Sequence, residues 1–139
     1  RDTRPWIRYV LTAHLRQAKT VLRRTKEIET IYLELQRLVA RYRLPERTLE
    51  ALFDATAGLR VRRAVYRAIL ETQSDDPVSE QTATRDLQSL TNHGLLVAHG
   101  ERRGRYYTDG PELAAIRKRV IKNRDPRDDS DPFAIQASG

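Results

Sequence analysis

Cysteine and methionine are both absent from the 139 residues. Without cysteine there is no disulfide and no thiolate metal ligand. That fits a reducing compartment, and a cytoplasmic location is the expectation. Without methionine, Arg1 is not a translated start, so the expectation is a piece of a longer chain. No apolar run approaches the roughly 20 residues a helix needs to span a bilayer, and no secretory pattern opens the chain. No membrane partner is expected. Glycine is scarce, six in all, and none precedes Gly58. The first 44 residues therefore hold nothing that breaks a helix except Pro5, which suits a first turn.

Catalytic signatures are missing as well. There is no Gly-x-Ser-x-Gly, no phosphate loop ending in Gly-Lys-Ser/Thr and no His-Glu-x-x-His. His14, His93 and His99 lack metal-ligand spacing. The acidic "DPRDDSD" near the end lacks the glycine and glutamate of a calcium loop. No metal, no cofactor and no enzymatic activity within this segment are expected.

Positive charge is abundant. The chain carries +7, but the charge is uneven. From Asn123 onward, four aspartates outweigh two arginines, leaving −2, so residues 1–122 carry +9. Most of that charge is arginine, whose planar fork matches phosphate and guanine. A basic balance of this size suits nucleic acid, and it also occurs in proteins that do not bind it.

Apolar spacing organises the rest. Ile7, Leu11, His14, Ala18, Val21, Thr25, Ile28, Tyr32, Leu35, Val39 and Tyr42 alternate steps of four and three. That is a heptad seam, widened by Val10, Leu15, Leu22, Ile31 and Leu38. A single helix over this stretch would be about 58 Å long, longer than a small domain covers. Either it bends into a hairpin near Arg23–Lys26, or it packs on something outside the segment. A second copy forming a homodimer along Ile7, Leu11, Val21, Ile28, Tyr32, Leu35 and Val39 is one candidate; the remainder of a longer polypeptide is the other.

Pro45 interrupts the pattern. The spacing then predicts a helix over 47–57 with Leu49, Leu52 and Phe53 inward, stopped by Gly58. A third helix is predicted over 61–71, burying Val61, Val65, Ile69 and Leu70. Ser79 caps a fourth, with Ala83, Leu87 and Leu90 inward, Thr91 a further candidate for that face, and Gly94 as its stop. "LLVAH" (95–99) and "RYYT" (105–108) read as strands around the turn "GERRG". A helix restarts at Pro111 and runs to 122. Residues 123–139, rich in Asp and Pro, read as a flexible acidic tail. The expected organisation is thus a long amphipathic segment (1–44), a compact unit (45–110), a C-terminal helix (111–122) and the tail. The fold class is mainly α: a long N-terminal helix or helical hairpin followed by a winged helix-turn-helix of three helices and a β-hairpin wing.

The string "VSEQTATRDLQSLTNHGLL" (78–96) resembles the recognition-helix-to-wing segment of bacterial winged-helix regulators. Ser79, Thr82, Arg85, Asp86, Leu87, Leu90, Gly94, Leu95 and Leu96 occupy its characteristic places. With "RPWIRYVLTAHLRQAKTVLRR", "LPERTLEALFDA" and "GERRGRYY", residues 4–110 are similar to the C-terminal portion of Fic (filamentation induced by cAMP)/DOC family proteins. The resemblance implies long helices and a winged helix downstream of a domain that transfers AMP, or a related group, onto protein hydroxyls. The His-Pro-Phe catalytic motif of that family has no counterpart here, so no catalytic residue is carried over. The connection from Thr72 to Val78 is also longer than a tight helix-turn-helix turn.

If the fourth helix enters a major groove, Gln81, Arg85, Gln88, Ser89 and Asn92 face bases and phosphates. Ser79, Thr82 and Thr84 suit phosphate near the helix start. Arg102, Arg103 and Arg105 place the hairpin on the backbone or in a minor groove, and Arg60, Arg62, Arg63 and Arg67 surround the preceding helix. Double-stranded DNA is the expected partner, and the expected role is transcriptional regulation. Two alternatives stand beside it. A polar helix face is also what any solvated helix presents, and Glu80 and Asp86, on or near it, would repel phosphate, unless Asp86 pairs instead with Arg85 or a neighbouring arginine. In the other alternative the segment docks or dimerises to regulate an upstream AMP-transfer domain. Of Tyr106 and Tyr107, alternating on one strand, one is expected to pack inward.

Overall fold

The computed structural model describes residues 2–124. Helix α1 runs Arg4–Arg41 without a break, 38 residues and about 57 Å at 1.5 Å per residue. The bend considered near Arg23–Lys26 does not occur. That stretch contains no Gly or Pro, and Thr20, Thr25 and Thr30 hydroxyls donate to carbonyls one turn back, so the ladder runs through. Thr3 occupies the N-cap position without a side-chain cap bond; Asp2 instead accepts from the Arg4 backbone N–H. The helix closes where the Leu44 N–H reaches back to the Val39 carbonyl, with Arg43 in the left-handed region at φ 52°.

A 3-10 turn, Glu46–Thr48, leads into α2, Leu49–Thr56. Helix α3 spans Arg63–Gln73 and α4 spans Glu80–Asn92. Strands β1 (Leu96–His99) and β2 (Tyr106–Asp109) form an antiparallel hairpin in which Ala98 faces Tyr107 and His99 faces Tyr106. Helix α5, Pro111–Lys122, closes the order. The fold is mainly helical with one small antiparallel sheet.

The core draws on every segment. Leu35, Leu38 and Val39 of α1 meet Leu52 and Ala55 of α2, Leu87 and Leu90 of α4, Leu95 and Leu96, and Leu113 and Ile116 of α5. Polar contacts hold α5 along α1: Arg119 to Glu34 at 3.2 Å, Arg124 to Glu27 at 3.0 Å, and Tyr42 to Glu112 at 3.0 Å. The expected tail begins at 123; beyond Arg124 it lies outside the described residues.

The α1 seam divides. Leu35 and Val39 are buried, and Tyr32 stacks on Phe53 with ring centres 4.7 Å apart. Ile7, Leu11, Val21 and Ile28 stand 45–56% exposed, because nothing in the described residues covers that side of the helix. The third helix also differs from expectation. Val61 is not its first turn but extended backbone, exchanging two 2.8 Å hydrogen bonds with Tyr107. Val61 and Leu70 are buried as expected, but the inward residue one turn before Leu70 is Tyr66, not Val65. Val65 is left 52% exposed, and Ile69 is half-buried.

Candidate nucleic-acid interface

Helix α4 is fixed by its ends and its inner face. The Ser79 hydroxyl accepts from the Thr82 backbone N–H at 3.1 Å, the local bond that starts the helix. The long connection before it is tied down by Arg67, whose Nε donates to the Val78 carbonyl at 2.8 Å and whose guanidinium meets Glu71 and Glu80. At the far end Gly94 takes φ +71°. Ala83, Leu87 and Leu90 are fully buried.

Asp86 joins them, and this corrects the expectation that it lies on or near the outward face. Positions 83, 86, 87 and 90 repeat at the three-and-four spacing of one helix face, so a residue at 86 must turn inward. Its carboxylate accepts Arg47 Nε at 2.6 Å, Arg47 Nη2 at 2.8 Å and the Tyr66 hydroxyl at 2.8 Å. The partner is Arg47, 39 residues away, not the adjacent Arg85. Burial, and then the bond to Asp86, push the Tyr66 phenol well above its ordinary value. The same carboxylate raises the Arg47 guanidinium. Arg47 and Tyr66 were not singled out from the sequence. The signal available was Asp86 sitting in register with Ala83, Leu87 and Leu90.

With Asp86 removed, the outward stripe of α4 is Gln81, Arg85, Gln88 and Asn92, at i, i+4, i+7 and i+11, and all four are exposed. Glu80 at the helix start is paired with Arg67 at 3.5 Å. The remaining expected DNA-facing groups are less free. Thr82 shares its hydroxyl with Ser79 at 2.9 Å. Thr84 donates to the Glu80 carbonyl at 2.8 Å and accepts Arg63 at 3.4 Å. Ser89 is half-buried on the flank, where its carbonyl meets His93 Nδ1.

The hairpin stands beside this stripe. Tyr107 is the inward member of the tyrosine pair, 8% exposed. Tyr106 faces the other way, stacked on His99 at 5.1 Å with the Arg60 guanidinium 4.5 Å over its ring. Arg102, Arg103 and Arg105 at the hairpin turn, Arg62 and Arg63 at the start of α3, and Thr84 of α4 line one cleft of about 500 Å³. Among the described residues, no carboxylate lines it. Five of the arginines expected to meet phosphate thus converge.

No family model, curated protein or solved structure matches this chain. Among the described residues, no group of three His, Asp or Glu side chains is placed to hold a metal, and no helix is long and apolar enough to cross a membrane.

Proposed function

We propose that this chain is a DNA-binding module of winged helix-turn-helix type, non-catalytic in itself. In this reading α2, α3 and α4 are the three helices, α4 is the groove-reading helix and the β1–β2 hairpin is the wing. The observation that carries it is an exposed α4 stripe of Gln81, Arg85, Gln88 and Asn92, from which Asp86 is turned inward, while Glu80 at the helix start pairs with Arg67. Gln and Asn match adenine edges, and Arg matches guanine. The hairpin that packs next to α4 supplies arginines to a cleft that no acid among the described residues lines. The likeness to Fic family C-terminal regions adds that the module works downstream of an AMP-transfer domain, in the manner of a transcriptional regulator.

Fluorescence anisotropy of the protein with a random duplex, and with the promoter DNA of its own operon, at two salt concentrations tests the reading. Salt-sensitive binding, tighter on the promoter, is expected. No binding to either duplex at low salt would discard it.

One observation favours a second reading, a docking or dimerisation module for an upstream domain. The first half of α1 exposes Trp6, Ile7, Tyr9, Leu11, Leu15, Val21 and Leu22 at 40–74%. Such a concentration of exposed large apolar side chains on one helix suits an interaction surface. Sedimentation of the wild type and Ile28→Asp decides between self-association and none.

A further inference from the structure

The cleft between the hairpin turn and the start of α3 is built rather than merely charged. It opens where three chain segments meet: Arg62 and Arg63 on one wall, Arg102, Arg103 and Arg105 on the other, and the Thr84 hydroxyl between them. Among the described residues no carboxylate lines either wall, and Arg63 reaches the Thr84 hydroxyl rather than an acid. Five arginines that share one cleft repel one another unless an anion joins them, and it is the backbone that brings their positions together.

The imposing element is the turn. Gly100 takes φ +72° and Arg102 φ +50°, the left-handed region that a side chain disfavours. A 3-10 turn, Arg102–Gly104, follows, and Arg105 Nε reaches back to the Gly100 carbonyl at 3.4 Å. A Cβ at Gly100 would stand 2.7 Å from the Gly104 carbonyl oxygen, a backbone atom that cannot move aside. A Cβ at Gly104 would meet nothing within 4 Å. The two glycines of one turn therefore differ: Gly100 is required by the conformation and Gly104 is not.

We propose that this cleft is a preorganised clamp for phosphate-ester oxygens. Planar guanidinium forks on two walls match neighbouring non-bridging oxygens, each fork giving two parallel hydrogen bonds. The backbone bonds between Val61 and Tyr107 fix the distance between the walls, since Val61 directly precedes Arg62 and Tyr107 closely follows Arg105. A nucleic-acid strand running beside α4 and a free oligophosphate offer the same oxygens. The strand as the source rests on the DNA reading above; the clamp itself does not.

The test uses the wild type, Gly100→Ala, Gly104→Ala and the double variant Arg62→Ala with Arg63→Ala. Each is titrated against a labelled random duplex by anisotropy and against inorganic tripolyphosphate by calorimetry. Circular dichroism reports whether each is folded. Gly100→Ala keeps every charge, so an effect there reads geometry rather than net charge. The clamp predicts losses on the order of tenfold or more in duplex affinity for Gly100→Ala and for the double variant, at about 50 mM salt, with Gly104→Ala unchanged. Tripolyphosphate should compete with the duplex on the wild type and weaken in the same two variants. Duplex binding that is equal in all four proteins overturns the clamp and leaves the DNA reading standing on α4. Tripolyphosphate binding that is lost in Gly100→Ala, with no duplex binding by any protein, keeps the clamp and removes the DNA reading. Neither ligand binding to the wild type removes both. If Gly100→Ala does not fold, the exposed Arg62/Arg63 variant decides the question.

Discussion

Asp86 shows how one side chain determines what a helix can do. Left on the outward face it would have set a carboxylate against phosphate. Turned inward it stitches α4 to Arg47 and to Tyr66 of α3. The carboxylate is almost wholly buried while Arg47 is 41% exposed, so the two partners differ in consequence. Arg47→Ala strips the ionic partner from a buried charge and should cost about 3 kcal/mol, the lower end for such a loss. Tyr66→Phe removes one hydrogen bond to a charged group and should cost about 1.5–3 kcal/mol. Urea unfolding followed by circular dichroism measures both; no change in midpoint for Arg47→Ala would mean the pair contributes nothing. Asp54 offers a pH test. Burial, and then Glu50 one turn away, raise its carboxyl above the ordinary carboxylate value. The fold then holds that proton more tightly than the open chain does. Asp54 favours the fold only when protonated, and its penalty grows as pH rises through the folded value. Asp54→Asn should stabilise at pH 7 by roughly the 0.2–0.5 kcal/mol of a like-charge helical pair. The gain should fade below about pH 4, where both states are protonated. A gain independent of pH would contradict this.

Among the elements, α1 is two things joined end to end. Its last turns are core, and its first half reaches away from it. The same heptad spacing runs through both, so the stripe alone does not say where packing stops. Leu35 and Ile28 sit one heptad apart on that stripe and should behave differently. Leu35→Ala empties a fully buried site and should cost about 2–5 kcal/mol. Ile28→Ala, at 45% exposure, should stay within about 0.5 kcal/mol of wild type. Thermal unfolding of the two variants separates them, and equal losses would mean that the Ile28 side of α1 is covered in solution. Helix α4 carries the opposite expectation. Arg85→Ala and Gln88→Ala change exposed groups on its outward stripe, so melting should not move. Duplex affinity should fall, and for Gln88→Ala the preference between promoter and random DNA should shrink by about 1–3 kcal/mol.

Across the whole molecule, charge is distributed by role. Residues 1–122 carry the positive surplus. On α1 and α5, and just past the end of α5, Arg41, Arg119 and Arg124 are engaged with Glu112, Glu34 and Glu27. The arginines around the cleft have no acid among the described residues lining it beside them. Binding to duplex DNA should therefore depend on salt through the second set. Arg102→Ala with Arg103→Ala should lower the slope of log affinity against log salt by about two, roughly one for each phosphate no longer neutralised. Arg41→Ala with Arg119→Ala, which removes the same charge, should change it far less. A slope that falls equally for both pairs would mean that net charge, not the interface, sets affinity.

Much of this fold is local in origin. The uninterrupted α1, the break at Pro45, the cap at Ser79, the stops at Gly58 and Gly94, and the hairpin around "GERRG" all follow from preferences acting within a turn or two of chain. The outward stripe Gln81, Arg85, Gln88 and Asn92 is legible in the sequence for the same reason, since helical periodicity alone spaces it. Packing between distant segments set the rest. It pulled Val61 out of a helix and into a bridge with Tyr107. It paired Asp86 with Arg47 across 39 residues. It gathered Arg62 and Arg63 with Arg102, Arg103 and Arg105 around one cleft, and left the first half of α1 uncovered. Where positions far apart in the chain meet depends on how whole elements pack, and no spacing within either segment encodes it.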